Sequence, residues 1–299
     1  MSVKETLDMR GLRPQKKWGQ HFLTDPRILE SIADAAEVTP SDIILEIGPG
    51  LGHLTRVLAQ RAGRVVAVEV DGDLAAKLRD EFAASNVTIV RGDVLRFKPI
   101  ELLELGAGTS PAPLPLKVVA NLPYYITSAI LRHILEAVPK PRVVVVMVQR
   151  EVAQRMTTQP PAMNLLAISV QFFAQARVMR TIAAGAFYPR PKVDSAIVRL
   201  DVFERPPLSV EDTARFFEIV RAGFCERRKQ LHNSLARGLG CAPEVVATAL
   251  ARARIDATRR AETLTLPEWG ALCDALESVT HFSRDESNAE LHKTPNLDN

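Results

Sequence analysis

The sequence predicts a doubly wound α/β domain followed by a small helical domain. Short β-branched runs alternate with helical patterns between about residues 25 and 200, as in successive βαβ units. Several of these runs are apolar throughout, which is typical of parallel strands covered by helices on both faces. After the proline pair at residues 206–207, every pattern as far as about residue 278 is helical.

The predicted elements follow one another in the order that a βαβ sheet requires. Strands are predicted at residues 43–47, 65–70, 88–90, 117–120, 143–148 and 196–200. Helices are predicted between them at residues 54–61, 74–84 and 127–137. A stretch rich in Gly, Pro, Ser and Thr at residues 106–115 is a predicted surface loop.

The domain boundaries are predicted from these patterns. The α/β domain covers residues 1–204 and includes a basic N-terminal arm at residues 1–24, and the helical domain covers residues 205–282. Residues 283–299 are polar and carry few large apolar side chains. Because such a segment buries too little surface to offset the entropy of ordering, we expect it to be a disordered tail.

The composition is that of an ordinary soluble globular protein, with 46% hydrophobic and 24% charged residues. The longest apolar runs, such as residues 143–148, are far shorter than the roughly 20 residues of a membrane-spanning helix. Residues 1–10 mix charges of both signs and resemble no signal peptide, so we expect a cytoplasmic protein without membrane contact. Three widely spaced cysteines indicate neither disulfides nor a metal site.

A glycine-rich turn follows the first predicted strand of the sheet. The strand runs directly into Gly48-Pro49-Gly50-Leu51-Gly52, where residues without Cβ let the backbone approach a ligand closely. The GxGxG spacing is shorter than the GxGxxG of dinucleotide binders, and Pro49 removes a donor that would hold a pyrophosphate. The turn therefore favours a phosphate-free nucleoside, and S-adenosylmethionine is preferred over a nicotinamide cofactor.

Two carboxylates follow the next two predicted strands. Glu69 lies 21 positions after Gly48, where an acidic side chain in this type of fold accepts hydrogen bonds from ribose hydroxyls. Asp93 follows the strand at residues 88–90 and is expected to receive an adenine amino group. Either carboxylate alone would be an ordinary surface charge. Together with the glycine turn they define the crevice at the carboxyl ends of the strands.

The fourth predicted strand ends at Asn121-Leu122-Pro123-Tyr124-Tyr125. The exocyclic amine of adenine is a poor nucleophile, so an enzyme must stabilise the transition state by hydrogen-bonding its N–H groups. We expect the Asn121 side-chain oxygen and the Pro123 carbonyl to accept one bond each. Tyr124 is expected to stack on the base and hold its nitrogen in line with the methyl donor.

A second aromatic cluster precedes the last predicted strand, in Phe187-Tyr188-Pro189-Arg190-Pro191. The prolines stiffen a loop that presents Phe187, which we expect to cover the other face of a flipped base. The alternative is a stiffened connection with Phe187 in the hydrophobic core. The sequence is compatible with both interpretations, and Phe187 is one of the predicted catalytic residues.

The net charge of +3 is small, but the basic residues are unevenly distributed. Residues 221–260 contain nine Lys or Arg against three acidic residues. Within this segment Arg227, Arg228 and Lys229 are consecutive, so they cannot all lie on one helix face. They are predicted to contact RNA phosphates, and the alternative is an ordinary solvated helix surface.

These motifs, taken together and in this order, resemble the ribosomal RNA adenine dimethyltransferase family over about residues 15–274. The segments that carry the resemblance are residues 19–23 (GQHFL), 46–52 (EIGPGLG), 121–125 (NLPYY), 149–153 (QREVA), 187–195 (FYPRPKVDS) and 224–231 (FCERRKQL). The resemblance implies a Rossmann-like methyltransferase domain with S-adenosylmethionine as cofactor, followed by a helical domain that helps to grip rRNA.

The resemblance also implies roles for individual residues. The first motif supplies His21, where the family often has Asn, and Leu23; both are expected to close over the methionine end of the cofactor. The remaining cofactor residues implied are Gly48, Gly50, Glu69, Asp93 and Asn121.

The implied activity is N6,N6-dimethylation of two adjacent adenosines near the 3′ end of small-subunit (16S) rRNA during ribosome maturation. The expected partner is this rRNA within the small subunit or its precursor, and the protein is expected to be a monomer. One alternative is a methyltransferase of the same fold that modifies large-subunit rRNA and confers antibiotic resistance. The other is a non-catalytic RNA-binding or transcription factor, against which intact Asn121 and Tyr124 argue.

Overall fold

A seven-stranded sheet organises the first of two structural units in a computed structural model of the chain. The structure describes residues 3–9, 11–107, 115–208, 212–226 and 228–291. The first unit comprises residues 1–157 and 173–205, and the second comprises residues 158–172 and 206–299. The described strands are β1 (Phe22–Leu23), β2 (Ile43–Ile47), β3 (Arg64–Glu69), β4 (Val87–Arg91), β5 (Leu116–Asn121), β6 (Val143–Gln149), β7 (Ala174–Ile182), β8 (Phe187–Tyr188) and β9 (Ser195–Val202).

Helices cover this sheet and build the second unit. In the first unit they are α1 (Val3–Met9), α2 (Pro26–Ala35), α3 (His53–Arg61), α4 (Gly72–Phe82), α5 (Pro99–Ala107), α6 (Thr127–Leu135) and α7 (Arg150–Thr157). In the second unit they are α8 (Leu165–Gln171), α9 (Thr213–Gly223), α10 (Leu231–Leu239), α11 (Pro243–Arg252) and α12 (Leu266–Leu291).

The large sheet has the strand order β4-β3-β2-β5-β6-β9-β7. The pairs among β4, β3, β2, β5 and β6 are parallel, while β9 runs antiparallel to both β6 and β7. Strands β2 and β6 are buried almost throughout, as expected for strands with helices on both faces. The α/β fold class is therefore confirmed, and each of the six predicted strands overlaps a strand of this sheet.

The sheet changes its direction of growth between β2 and β5, so a crevice opens at their carboxyl ends. The register brings the last residues of these strands level, because Ile47 of β2 pairs with Val68 of β3 and with Ala120 of β5. The residues that follow each strand therefore meet at one edge of the sheet, where the sequence analysis expects the site.

Strand β7, one of the two edge strands of the sheet, was not predicted because its residues are mostly exposed. Most of its residues are exposed, including Val178 and Met179, so no alternating burial marks it in the sequence. Its pairing with β9 also shifts by one residue between Val178 and Arg180, which is a β-bulge.

The second unit is built from helices and includes a segment that the sequence analysis assigned to the first domain. Phe172 stacks on Phe216 with ring centroids 4.8 Å apart, which fixes residues 158–172 within this unit. Helices α9 and α10 approach so closely that a Cβ on Gly238 would lie 2.6 Å from the Cα of Ala222. Trp269 of α12 is fully buried.

The end of the chain is where the sequence predicts a disordered tail, at residues 283–299. Helix α12 continues through Leu291, and residues 292–299 lie outside the described residues. Residues 283–291 contain neither Pro nor Gly, so nothing in their composition interrupts a helix. The disordered tail stays a prediction.

Candidate active site

The glycine turn after β2 has a backbone conformation that residues other than glycine rarely adopt. The φ angles of Gly48, Gly50 and Gly52 are 68°, 58° and 77°, all in the left-handed region. A Cβ on Gly50 would also lie 3.0 Å from the ring of Phe22. The three glycines therefore let the turn curl tightly between β2 and α3.

Glu69 connects this turn to the end of β3. Its two carboxylate oxygens accept hydrogen bonds from the backbone N–H of Gly50 at 3.0 Å and of Asp71 at 2.9 Å. The side chain is 4% exposed, and burial raises its pKa although the backbone donors oppose that shift. Each oxygen keeps further lone-pair capacity for a ligand.

Asp93 stands at the carboxyl end of β4, as the sequence predicts. Its Oδ1 accepts a hydrogen bond from the backbone N–H of Leu95 at 3.1 Å, which fixes the carboxylate at the start of a short 3₁₀ turn. The backbone N–H of Gly92 donates to the Glu69 carbonyl at 2.9 Å, so the β3 and β4 ends are tied together.

A single cavity of about 240 Å³ collects most of the predicted site residues, all from the first unit. The predicted residues that line it are His21, Leu23, Gly48, Gly50, Glu69, Asp93, Asn121, Pro123 and Tyr124. They come from the N-terminal arm and from the ends of β2, β3, β4 and β5. The cavity therefore lies at the crevice that the strand order creates.

Asn121 and His21 hold the N-terminal arm against the end of β5. The Asn121 side-chain amide donates to the His21 carbonyl at 3.1 Å, which directs its nitrogen toward the arm. The His21 Nδ1 donates to the Pro189 carbonyl at 2.7 Å, because a carbonyl can only accept. The Asn121 oxygen is left to face other partners.

Tyr124 is held at its ring and at its hydroxyl. Its ring stacks on His21 with centroids 5.7 Å apart and planes inclined by 21°. Its hydroxyl lies 2.7 Å from Ser195 Oγ, and Ser195 is fully buried. Burial raises the pKa of Tyr124, so the phenol is neutral at physiological pH.

The Pro123 carbonyl, a predicted acceptor for the substrate amine, is already engaged. It accepts from the Thr127 hydroxyl at 3.1 Å and from the Ile126 backbone N–H at 3.3 Å. Both donors belong to the start of helix α6, which begins at Thr127. A carbonyl oxygen has two lone pairs, and these two bonds use both of them. A substrate N–H must therefore displace the Thr127 hydroxyl, which lies 3.5 Å from the Tyr124 carbonyl as well.

Phe187 is a predicted catalytic residue that the structure buries in the core. It is 4% exposed, belongs to a core cluster with Leu23 and Ile28, and is not among the residues that line the cavity. Strand β8 pairs with β1 so that Phe187 lies opposite Leu23, while the neighbouring Tyr188 is exposed. This placement is the one that the core alternative describes, and the catalytic role of Phe187 stays a prediction.

Glu46 is a cavity residue to which the sequence analysis assigned no role. It lies inside β2, is 1% exposed, and its Oε2 has no hydrogen-bond partner among the described residues. Burial raises the pKa of Glu46 to about 8. The sequence does contain a signal that could have revealed Glu46, because it is a carboxylate within an otherwise apolar strand.

The Glu46→Gln variant is expected to remove a pH dependence of stability. The pKa of Glu46 is raised in the folded state, so the folded state binds its proton more tightly and stability falls as pH rises from 4.5 toward 8. In that range the wild-type free energy of unfolding should fall by up to about 1.4 kcal/mol per pH unit. Urea unfolding at pH 5.5 and 7.5 measures this slope. Equal slopes in wild type and Glu46→Gln would contradict the assignment, and Glu104→Gln on the exposed side of α5 is the control.

The connection between α9 and α10 carries the basic residues that the sequence predicts to contact RNA. Arg228 and Lys229 are exposed there, whereas Arg227 lies outside the described residues. The connection is held at both ends, because the Lys229 N–H donates to the Glu226 carbonyl at 3.1 Å and the Leu231 N–H donates to the Arg259 carbonyl at 2.7 Å. Two cationic side chains are thus exposed close to these two backbone hydrogen bonds.

A mixed sheet with this strand order, and a glycine turn that faces carboxylates at successive strand ends, defines a methyltransferase of the Rossmann-like class. In the part of the chain that the structure describes, no helix combines the length and apolarity needed to span a membrane.

Comparison with known proteins gives the family. The model of the ribosomal RNA adenine dimethylase family matches residues 11–276, and the chain belongs to that family. Its members are enzymes that transfer methyl groups from S-adenosylmethionine, and the cavity residues suit that cofactor: Glu69 offers acceptors for hydroxyl groups, and the buried Glu46 Oε2 lacks a partner among the described residues.

The chain is similar to bacterial proteins over nearly its whole length. It is 46% identical to the ribosomal RNA small subunit methyltransferase A of Dehalococcoides mccartyi strain ATCC BAA-2266, covering 91% of both chains. It is 44% identical to the protein of the same name from Moorella thermoacetica, covering 90% of this chain and 94% of the relative.

Two solved structures share the fold. The 23S rRNA methyltransferase ErmE is 30% identical, with a TM-score of 0.65 and coverage of 86% of this chain and 99% of that chain. A dimethyladenosine transferase from Plasmodium falciparum is 24% identical, with a TM-score of 0.70 and coverage of 87% and 98%.

Proposed function

We propose that this enzyme dimethylates the N6 amines of two adjacent adenosines near the 3′ end of 16S rRNA, within the small ribosomal subunit or its precursor. The observation that carries the proposal is the Asn121–Tyr124 segment, whose acceptor and aromatic ring face the same cavity as Glu69. The small-subunit target is favoured by relatives of that name at 44–46% identity, against 30% for ErmE. We further propose that the protein acts as a monomer in the cytoplasm.

The cofactor is proposed to lie along the strand ends. Glu69 would accept hydrogen bonds from the ribose hydroxyls, and Asp93 would accept one from the adenine amine. Gly48 and Gly50 allow the close approach, while His21 and Leu23 of the arm cover the methionine end. When bound, S-adenosylmethionine supplies the methyl group that the reaction transfers.

The chain's own residues would make the adenine amine reactive. The Asn121 oxygen accepts one N–H of the amine, and the Pro123 carbonyl accepts the other once the Thr127 hydroxyl turns away from it. Tyr124, fixed by Ser195 and His21, stacks on the base and holds the nitrogen in line with the methyl group. A strong base is unnecessary, because the nitrogen becomes acidic as it gains the methyl group.

The helical unit is proposed to grip rRNA through Arg227, Arg228 and Lys229. Arg228 and Lys229 are exposed, whereas Arg237 and Arg259 of the same basic segment form ion pairs with acidic residues. Exposed cations suit phosphate contacts, which position RNA without reading its sequence. The solvated-surface alternative predicts no effect of these residues on RNA binding.

The double variant Arg228→Ala/Lys229→Ala is expected to weaken binding to small-subunit particles. For each phosphate interaction that the variant removes, the slope of log K against log salt concentration should flatten by about 0.7–0.9. Binding is measured by filter retention at several salt concentrations, and the variant Arg132→Ala/Lys140→Ala removes the same charge from the first unit as a control. A wild-type salt slope in the first variant, or an equal weakening in the control, would overturn the assignment.

Primer extension across the 3′ end of 16S rRNA tests the proposed target directly. A strain deleted for this gene should lose a pair of adjacent stops, and the wild-type protein should restore them. The Asn121→Ala variant, expressed at the same level, is the negative control. Restored stops in 23S rRNA alone would favour the large-subunit alternative, and no restored stops in either RNA would favour the non-catalytic one.

A further inference from the structure

Tyr125 is an aromatic residue at the cavity that no proposed step uses. It lines the cavity, yet 59% of the residue is exposed. Its neighbour Tyr124 is fixed by Ser195 and His21, but the Tyr125 ring lies against a glycine: a Cβ on Gly19 would be 3.4 Å from its Cδ1. The Tyr125 ring therefore lines the cavity and is also in contact with solvent.

Trp18 lines the same cavity, and it precedes the glycine that contacts the Tyr125 ring. Gly19, with a φ of 58°, joins the two and leaves room for the tyrosine. Lys17 Nζ lies 5.0 Å from the centroid of the Trp18 ring, which adds a cation to the aromatic surface. Trp18 and Tyr125 thus line the same cavity, Trp18 from the N-terminal arm and Tyr125 from the segment that follows β5.

The chain concentrates its rare aromatic residues here. It contains 3 Tyr and 2 Trp in all, and Trp18, Tyr124 and Tyr125 line this one cavity. An exposed ring removes little apolar surface from water, so Tyr125 contributes little to folding stability. Its position indicates a ligand with flat apolar faces.

We propose that Tyr125 and Trp18 form a second stacking subsite, which holds the base next to the target adenosine in the RNA. This inference rests on the proposed function. An adenine drawn into the cavity leaves its stacked neighbour, so that neighbour is left without a stacking partner of its own. The exposed Tyr125 and the half-buried Trp18 take the place of that partner, and the Lys17 ammonium beside Trp18 is placed to face the adjoining phosphate. Stacking tolerates any base, so the subsite positions the RNA strand without reading its sequence.

Substitutions at Tyr125 test the subsite by separating ring shape from bulk. Tyr125→Phe should keep the wild-type KM for small-subunit particles, whereas Tyr125→Leu and Tyr125→Ala should raise KM about tenfold, the effect of losing one base–aromatic stack. Trp18→Leu should also raise KM for small-subunit particles, whereas Trp18→Phe should leave it at the wild-type value. Met179→Ala, which trims an exposed apolar side chain on the edge strand β7, is the control.

Calorimetry with S-adenosylhomocysteine distinguishes the subsite from the cofactor site. The affinity of Tyr125→Leu for S-adenosylhomocysteine should equal that of the wild type. A loss of that affinity as large as the rise in KM would show that the Tyr125 ring belongs to the cofactor site instead. A wild-type KM in Tyr125→Leu, with methyl transfer by the wild-type protein intact, overturns the subsite. Absence of methyl transfer by the wild-type protein to small-subunit particles overturns the proposed function itself, whatever the variants do.

Discussion

The Asn121→Ala variant is expected to lose methyl transfer by about 10²–10³-fold, the effect of removing one preorganised partner of the transition state. The Asn121 side chain lines the cavity, and its amide is held in one orientation by its bond to the His21 carbonyl before a substrate arrives. Most of the effect should fall on kcat, because this acceptor matters chiefly as the amine develops positive charge.

Single-turnover rates on small-subunit particles measure this effect. Circular dichroism and thermal unfolding show whether the variant is folded, and Asn233→Ala at an exposed position of α10 is the matched substitution elsewhere. Because Asn121 also holds the arm, affinity for S-adenosylhomocysteine must be measured alongside. A folded variant with near-wild-type turnover would show that the amine is activated by another group.

The Glu69→Ala variant is expected to weaken cofactor binding by about 1–3 kcal/mol, since a charged acceptor for ribose hydroxyls is lost. The structure adds a second cause, because the same carboxylate accepts the N–H of Gly50 and of Asp71. Removing it leaves both donors without this partner and loosens the glycine turn.

Glu69→Gln keeps the shape of the side chain but changes both its charge and its hydrogen bonds to the turn. Its amide has one accepting oxygen and one donating nitrogen, so it satisfies only one of the two backbone N–H groups and opposes the other. We therefore expect Glu69→Gln to bind S-adenosylhomocysteine more weakly than wild type, measured by calorimetry. Asp73→Ala, at the exposed start of α4, is the control. Wild-type affinity in Glu69→Ala would remove Glu69 from the cofactor site.

The sequence located the cavity because three of its acidic or amide residues lie at the end of an apolar strand or shortly after it. Glu69, Asp93 and Asn121 could be placed from that pattern, since parallel strands end at one edge of a sheet. The inward direction of Phe187 could not, because it depends on the pairing of two-residue strands far apart in the chain. The sequence also could not predict that the Pro123 carbonyl already accepts two hydrogen bonds, because that depends on the residue at which α6 begins.

Other differences have a similar physical origin. Residues 158–172 join the helical unit through an aromatic contact with Phe216, which no local pattern encodes. Strand β7 is an edge strand, so burial imposes no alternation on it. Tyr125 lies beside Tyr124 in the sequence, and only the structure separates a ring held by Ser195 from one left open to solvent.

The pairing of β1 with β8 has a consequence for the order in which the protein folds. His21 bonds to Pro189 across 168 residues, and Thr24 bonds to Ala186 across 162. Contacts so distant in the chain are costly in loop-closure entropy and are intrinsically slow to form. The arm is one wall of the cavity, so the cavity is complete only when both ends of the first unit have met. Cofactor binding during refolding should therefore report the last step of assembly, well after the sheet has formed.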